Sequence, residues 1–208
     1  TGGVSVTGGS QQLAGANTFT GGTVIARGAT LAVTGGRALA DTGALRNDGT
    51  FDVLSGEQVG AISGNGTIRL TGGSLGTRND GNTLYAGAIT GTGGLTKTGT
   101  GVLALSGDNS MSGGLNIVGG TVAVARAANM GSGPVTIGAA RLATAADLTS
   151  GNAVVLTDAA SAIDTLGHDV TLTGNVSGNG TLNKLGTGTL TLTGSNAQNG
   201  INVRGGTL

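Results

Sequence analysis

The feature that most constrains the fold is a sequence unit that occurs twice. The copies span residues 87–122 and 174–208, and they keep a constant offset over most of their length. Partial copies lie at residues 13–31 and 60–68. A unit that recurs with variable gaps between its halves predicts stacked turns of one architecture, so we expect a single unit over residues 1–208.

Within both copies, apolar residues stand two apart and are separated by small or polar residues. A period of two places such pairs on one face of a short strand. We therefore expect a structural core formed by Leu95, Leu103, Leu105, Leu115, Ile117, Leu182, Leu190, Leu192, Ile201 and Val203.

Glycine punctuates these strands. The chain has 45 glycines but only one proline, and aromatic residues make up 1%, which excludes a conventional aromatic core. Glycine permits turns that other residues adopt with strain. We expect repeat turns at Gly99, Gly101, Gly107, Gly186, Gly188 and Gly194. The only two lysines, Lys97 and Lys184, share one repeat position.

Short strands with one apolar face need partners above and below, and in a solenoid each partner is the equivalent strand of the next turn. The sequence therefore predicts an all-β chain folded as a right-handed parallel β-helix of about eight to ten coils. An antiparallel sandwich or barrel is the structural rival, because it also uses short alternating strands and glycine turns. A long repeat whose halves drift apart favours the β-helix.

Residues 123–161 differ from the rest because alanine rises and the alternation weakens. Two interpretations stay open: longer loops that leave the coil, or a protrusion that contacts a partner. Of these, loops are the preferred expectation. The one short helical turn that the sequence predicts lies at residues 139–146.

Charge and cysteine content exclude several functions. The formal net charge is zero, with 10 basic and 10 acidic residues, so nothing predicts nucleic-acid binding. There is no cysteine, and stability must therefore come from packing. No apolar run approaches the roughly 20 residues of a membrane helix. The sequence stops within a repeat, so we expect it to be part of a longer protein.

Candidate chemistry is sparse. Residues 72–76 formally match the Gly-x-Ser-x-Gly nucleophile elbow around Ser74, and His168 is the only histidine. The triad would be completed by Asp147, Asp158 or Asp164. However, a turn sequence follows Gly76 where an elbow needs a helix. With one histidine and no cysteine, we expect no catalytic residue, no metal, no cofactor and no small-molecule substrate.

The second copy reads Gly-x-Gly-Thr-Leu-x-Lys-x-Gly-x-Gly-Thr-Leu-x-Leu-x-Gly-x-Asn from Gly178 to Asn196 and closes in Gly-Gly-Thr-Leu at residues 205–208. This pattern resembles the passenger-associated transport repeat of bacterial autotransporters. The chain departs from the family where an aromatic residue usually follows the asparagine. Phe19 keeps that residue, whereas Met111 and Gln198 replace it.

The resemblance implies a passenger of type V secretion, displayed on the bacterial surface or secreted after passage through the periplasm and the outer membrane. It implies one partner, the passenger's own C-terminal outer-membrane β-barrel. The expected function is a structural stem that supports translocation and surface display. Two alternatives stay open: an adhesin or self-association module that binds host cells or sister bacteria, and the stem of a subtilisin-like protease whose catalytic domain lies elsewhere. Any enzymatic activity would belong to such an additional domain.

Overall fold

The computed structural model describes residues 2–208, which form a parallel β-solenoid of about ten coils without an α-helix in that range. In chain order the strands are β1 Val4–Val6, β2 Ser10–Ala14, β3 Thr23–Ile25, β4 Thr30–Thr34, β5 Leu45–Asn47, β6 Thr50–Val53, β7 Glu57–Val59, β8 Ile62–Ser63, β9 Thr67–Leu70, β10 Leu75–Arg78, β11 Thr83–Tyr85, β12 Ile89–Gly91, β13 Leu95–Thr98, β14 Val102–Leu105, β15 Leu115–Ile117, β16 Thr121–Val124, β17 Val135–Ile137, β18 Arg141–Thr144, β19 Leu148–Ser150, β20 Val154–Leu156, β21 Ala162–Asp164, β22 Val170–Leu172, β23 Val176–Leu185, β24 Leu190–Leu192 and β25 Asn196–Val203.

Each strand pairs with the strand one coil further along the chain. The coils differ slightly in length: the step from Leu45 to its partner Ile62 is among the shortest, and the step from Thr23 to its partner Leu45 is among the longest. Every ladder among the described residues is parallel, which confirms the predicted β-helix and excludes the antiparallel rival.

The coils have three sides. Side A contains β1, β3, β5, β8, β11, β14, β16, β18, β21 and the C-terminal halves of β23 and β25. Side B contains β2, β4, β6, β9, β12, β19, β22 and β24. Side C contains β7, β10, β13, β15, β17, β20 and the N-terminal halves of β23 and β25. The long strand β23 bends around the corner between sides C and A and joins both into one 13-stranded sheet.

The core is a column of aliphatic side chains, because equivalent strands place their inward residues directly above one another. One such ladder on side C runs through Leu75, Leu95, Leu115, Val135, Val154 and Val176. All six side chains are buried. Burying a side chain of this size stabilises the fold by about 1.5 to 3 kcal/mol, so the stack replaces the aromatic core that the composition excludes.

The alanine-rich segment 123–161 stays within the solenoid, and the preferred expectation of loops leaving the coil is wrong. It contains β17–β20 and contributes to all three sides. The helical turn lies at Ala127–Met130, where a single 3₁₀ turn replaces a side B strand. Residues 141–144, expected within a helical turn, form β18 because their backbone pairs with β16 and β21 on either side.

Candidate functional site

Most of the predicted core positions lie in the solenoid interior. Leu95, Leu103, Leu105, Leu115, Ile117, Leu182 and Leu190 are all at most 2% exposed. They lie on all three sides, so the two repeat copies contribute to one continuous column. Each copy therefore supplies inward apolar residues to consecutive strands of the same stack.

Three predicted core residues of the second copy differ. Leu192 is only partly buried, whereas Ile201 and Val203 are 42% and 50% exposed. Ile201 and Val203 belong to β25, which pairs with β23 on one edge and with no described strand on the other. An inward side chain is buried only when a coil lies on each side of it. The alternation in the sequence predicts the direction of the side chain but not the presence of these two coils.

The predicted turn glycines are positions where coils approach too closely for a side chain. A Cβ on Gly101 would collide with the carbonyl oxygen of Gly81, one coil earlier. At the equivalent position of the second copy, a Cβ on Gly188 would collide with the carbonyl oxygen of His168. Gly99, Gly107, Gly186 and Gly194 are similarly hindered by the preceding coil. Steric clearance between stacked corners thus accounts for these glycines.

Lys97 points into the solenoid and is fully buried. It lies on the ladder between Thr77 and Ile117, so its aliphatic stem takes the place of a core residue. Its Nζ donates to the carbonyl oxygens of Thr98 at 2.9 Å and Gly99 at 2.8 Å, in the turn that follows its own strand. All of these contacts lie at the corner between sides C and A.

Neighbouring coils supply the remaining contacts of that ammonium group. Nζ donates to the carbonyl oxygen of Gly119, in the following coil, at 3.0 Å. A longer contact of 3.4 Å joins Nζ to the carbonyl oxygen of Asn79, in the preceding coil. Gly120 lies so close that a Cβ there would come within 2.8 Å of Nζ. The closing Gly-Gly pair of the repeat therefore covers the lysine.

Lys184 repeats this arrangement at the second copy and is also fully buried. Its Nζ donates to the carbonyl oxygens of Leu185 and Gly186 at 2.9 Å each. A third bond of 3.0 Å reaches the carbonyl oxygen of Gly205 in the following coil. Because an ammonium group has three protons, three carbonyl acceptors satisfy it completely.

Burial lowers the pKa of both lysines, because the solenoid interior disfavours a charge. The carboxylates of Asp80 and Asp164 oppose this shift and favour the charged form. Asp80 and Asp164 lie one coil before the respective lysine turn, and each comes within 2.7 Å of a Cβ placed on the glycine that follows the lysine by two positions. An aspartate of the preceding coil thus lies near the lysine at both corners.

These lysine corners were not predicted from the sequence. The available signal was the coincidence of the only two lysines at one repeat position, together with a closing Gly-Gly pair about one coil later. That spacing becomes a contact only when the coil length is known. When the coil length is not known, a lysine in an alternating strand is expected to point outward.

Two of the repeat asparagines, Asn17 and Asn109, also join successive coils. Asn109 is buried, its Oδ1 accepts from the backbone N–H of Ile89 at 2.8 Å, and its Nδ2 donates to the carbonyl oxygen of Asn129 at 2.5 Å. Asn17 of the partial copy likewise donates to the carbonyl oxygen of Ala38 at 3.0 Å. Phe19 packs against the core from the position that buried Met111 occupies in the next copy, so this position is inward with or without an aromatic ring.

The residues of the formal triad are not brought together. Ser74 precedes β10, and its Oγ accepts from the backbone N–H of Gly94. His168 precedes β22, more than four coils further along, which corresponds to roughly 20 Å at the usual strand spacing. Its Nδ1 lies 3.4 Å from a carboxylate oxygen of Asp147, one coil earlier.

Within residues 2–208 no group of three potential metal ligands occurs. No helix in that range is long and apolar enough to span a membrane.

Comparisons with known proteins agree with the repeat assignment. The family model described as passenger-associated-transport-repeat matches residues 8–33, 95–124 and 182–208. The adhesin BmaC autotransporter of Brucella suis biovar 1 (strain 1330) is 35% identical over 145 residues, which is 68% of this chain. The chain spans 4% of that relative's length. No solved structure matches it.

Two of the matched segments begin two residues before a buried lysine and end beyond the Gly-Gly pair that covers it. The repeat that the family model describes is therefore the same unit that builds the lysine corners and their glycine-rich turns. The chain belongs to the autotransporter passengers, displayed at the cell surface or secreted, that are built from passenger-associated transport repeats.

Proposed function

We propose that this segment is the structural stem of an autotransporter passenger and that it supports outer-membrane translocation and surface display. The observation that carries the proposal is the uninterrupted stacking of about ten coils, in which each coil pairs with the next through parallel ladders. At the usual strand spacing such a stack is a rod of roughly 50 Å. A rod of this length would hold other parts of the passenger away from the membrane.

The separation of paired residues supports a role in translocation. Partners such as Leu45 and Ile62 always belong to adjacent coils, so each coil folds onto its neighbour without waiting for a distant part of the chain. Every added coil buries apolar side chains and satisfies backbone groups. A chain that emerges through the outer membrane, through the C-terminal β-barrel of the parent protein, would thus be held outside as coils form.

The test is surface display of the full parent autotransporter that carries Leu190→Asp. Leu190 is fully buried, so the carboxylate would be unpaired in the core and would disrupt the coil. The control is Thr191→Asp, which adds the same charge at the adjacent exposed position of the strand. We expect surface exposure, measured by protease accessibility on intact cells, to fall for Leu190→Asp alone. Equal display of both variants would contradict the stem proposal.

A second candidate function is adhesion. The relative with 35% identity is named an adhesin. In addition, the middle residues of successive side C strands form a polar row, in which Thr96, Asn116 and Thr136 lie in direct register. Such a row repeats its hydrogen-bonding groups at the spacing of the coils, which suits a repetitive ligand such as a glycan or a second solenoid.

Binding of the purified chain to host cells and to a glycan and extracellular-matrix panel tests adhesion. The informative variant replaces Thr96, Asn116 and Thr136 by alanine, since these residues alternate with buried ones and leave the core intact. Saturable binding that the variant loses would establish the adhesive face. Absence of binding by the wild-type chain would leave the stem as the function of this segment.

A further inference from the structure

The three shortest hydrogen bonds of each buried ammonium group go to carbonyl oxygens from two different coils. Two acceptors come from the turn of the coil that contains the lysine: Thr98 and Gly99 for Lys97. The third acceptor, Gly119, comes from the coil that follows. The same division holds at Lys184, with two acceptors in its own turn and Gly205 in the following coil.

The following coil also removes the ammonium group from water. Gly119 and Gly120 pass directly over Lys97, and a side chain on Gly120 would collide with the ammonium nitrogen. An ammonium group that is buried without its full set of partners is strongly destabilising. Here the coil that buries the ammonium group also supplies its third acceptor. Docking of that coil therefore buries the ammonium group and completes its hydrogen bonding in one step.

The preceding coil contributes less to the hydrogen bonding of the lysines. Its carbonyl oxygen, that of Asn79, lies 3.4 Å from the Lys97 nitrogen. At Lys184 no hydrogen bond joins the nitrogen to the preceding coil within the described residues, which begin at Gly2. Outside its own turn, each lysine thus makes its shortest hydrogen bond to the C-terminal neighbour, whereas the preceding coil supplies the aspartate charge.

We propose that Lys97 and Lys184 are directional latches, each of which locks its own coil to the coil that follows it in the chain. A lysine coil docks with full hydrogen bonding onto a C-terminal neighbour that is already formed, whereas a lysine coil without that neighbour leaves its ammonium group partly solvated. The solenoid therefore resists opening at the junction after each lysine. This role rests on the proposed stem function, because a stem that forms outside the cell must keep coils once they have stacked.

Hydrogen exchange of the full 208-residue chain tests the latch. Lys97→Met keeps an unbranched, largely apolar side chain of similar length but removes the ammonium group. The amides to follow are those of Val118 and Thr121, which donate to Lys97 and Gly101 across the junction after the lysine. The reference amide is that of Gly101, which donates to Asn79 across the junction before it. We expect Lys97→Met to accelerate exchange at Val118 and Thr121 by about tenfold or more, with a smaller effect at Gly101.

Two control variants define the comparison. Leu95→Val removes one methylene from the same strand without touching a polar contact, and it should affect both junctions to a similar degree. Arg27→Met removes a positive charge from an exposed corner and should leave both junctions unchanged. Equal acceleration on both sides of the lysine coil in Lys97→Met, or none at all, would overturn the latch.

If Lys97→Met does not fold, Lys184→Met takes its place, because the junction after that lysine is formed by the pairing of β25 with β23 and by the bridge between Thr189 and Thr207. The amide of Arg204 donates to the carbonyl oxygen of Lys184 and reports on that junction. The reference amide is that of Thr187, which donates to Leu166 across the junction before the lysine. Exchange that accelerates more at Arg204 than at Thr187 supports the latch, and equal or unchanged exchange at the two amides refutes it. Because these measurements use the purified chain, they are independent of the display assay, and either proposal could fail without the other.

Discussion

Lys97 and Lys184 occupy the same position of the repeat but lie at different corners of the solenoid. Lys97 belongs to a side C strand and lies where the chain turns onto side A, whereas Lys184 belongs to a side A strand and lies at the corner with side B. The reason is that the offset between the two copies is not a whole number of coils, since it corresponds to four coils plus one further side. Each of these corners can therefore host the complete lysine arrangement.

Replacement of a buried leucine by a charged residue should unfold the coils around it. For Leu190→Asp we expect a loss of about 4 kcal/mol or more in the free energy of unfolding, because the carboxylate has no partner in the core. Denaturant unfolding followed by circular dichroism measures this loss. Thr191→Asp should change the free energy by no more than about 0.5 kcal/mol, and unaltered stability of Leu190→Asp would show that this leucine is not part of the core.

A methyl group at a stacked corner should be destabilising even though the backbone conformation is ordinary. Gly101→Ala places a Cβ against the carbonyl oxygen of Gly81, so we expect a cost of about 1 to 3 kcal/mol in denaturant unfolding. Gly81→Ala is the matched control, since a Cβ on Gly81 meets no atom within 4 Å. Similar stability of the two variants would argue against close stacking of these corners.

The buried repeat asparagine should contribute more to stability than an outward asparagine. Asn109→Ala removes the acceptor of the Ile89 N–H and the donor to the Asn129 carbonyl, and it should cost about 2 kcal/mol. Asn116→Ala changes the same residue type at an outward position of side C and should be close to neutral. Thermal unfolding of both variants gives the comparison, and a neutral Asn109→Ala would mean that water replaces the lost bonds.

Loss of the proton from the buried Lys97 should make the free energy of unfolding rise with pH. The pKa of Lys97 is lowered in the folded chain, mainly by burial, while the unfolded chain keeps the ordinary value of 10.5. Between these two values the unfolded chain binds more protons, so the free energy of unfolding increases with pH in that window. Below it the full cost of burying the charge is present, and above 10.5 that cost is gone.

The measurement is the difference in unfolding free energy between wild type and Lys97→Met, recorded from neutral pH to about pH 10.5. Tyr85 has its pKa raised by burial, but it is common to both proteins and cancels in the difference. The difference should shift in favour of the wild type as the pH rises. A difference that does not depend on pH would show that the lysine titrates alike in the folded and unfolded chains.

The fold was predictable from local pattern because each strand alternates independently of the others. Leu103 and Leu105 stand two apart with a small residue between them, and both are buried. The same reasoning placed Ile201 and Val203 in the core, where the structure leaves them exposed, because burial in a solenoid depends on the neighbouring coils. The alanine-rich segment was misjudged since weak alternation hides strands that pairing on both sides holds in place.

The amino-acid sequence by itself determined the repeat, the short alternating strands, the glycine turns and hence the parallel solenoid, since all of these depend on residues close together in the chain. Only the tertiary structure decided the coil length, the side on which each copy lies and the inward direction of Lys97 and Lys184. Those features depend on contacts between residues one coil apart, such as that of Lys97 with Gly119. Such contacts exist only after successive coils have stacked in register.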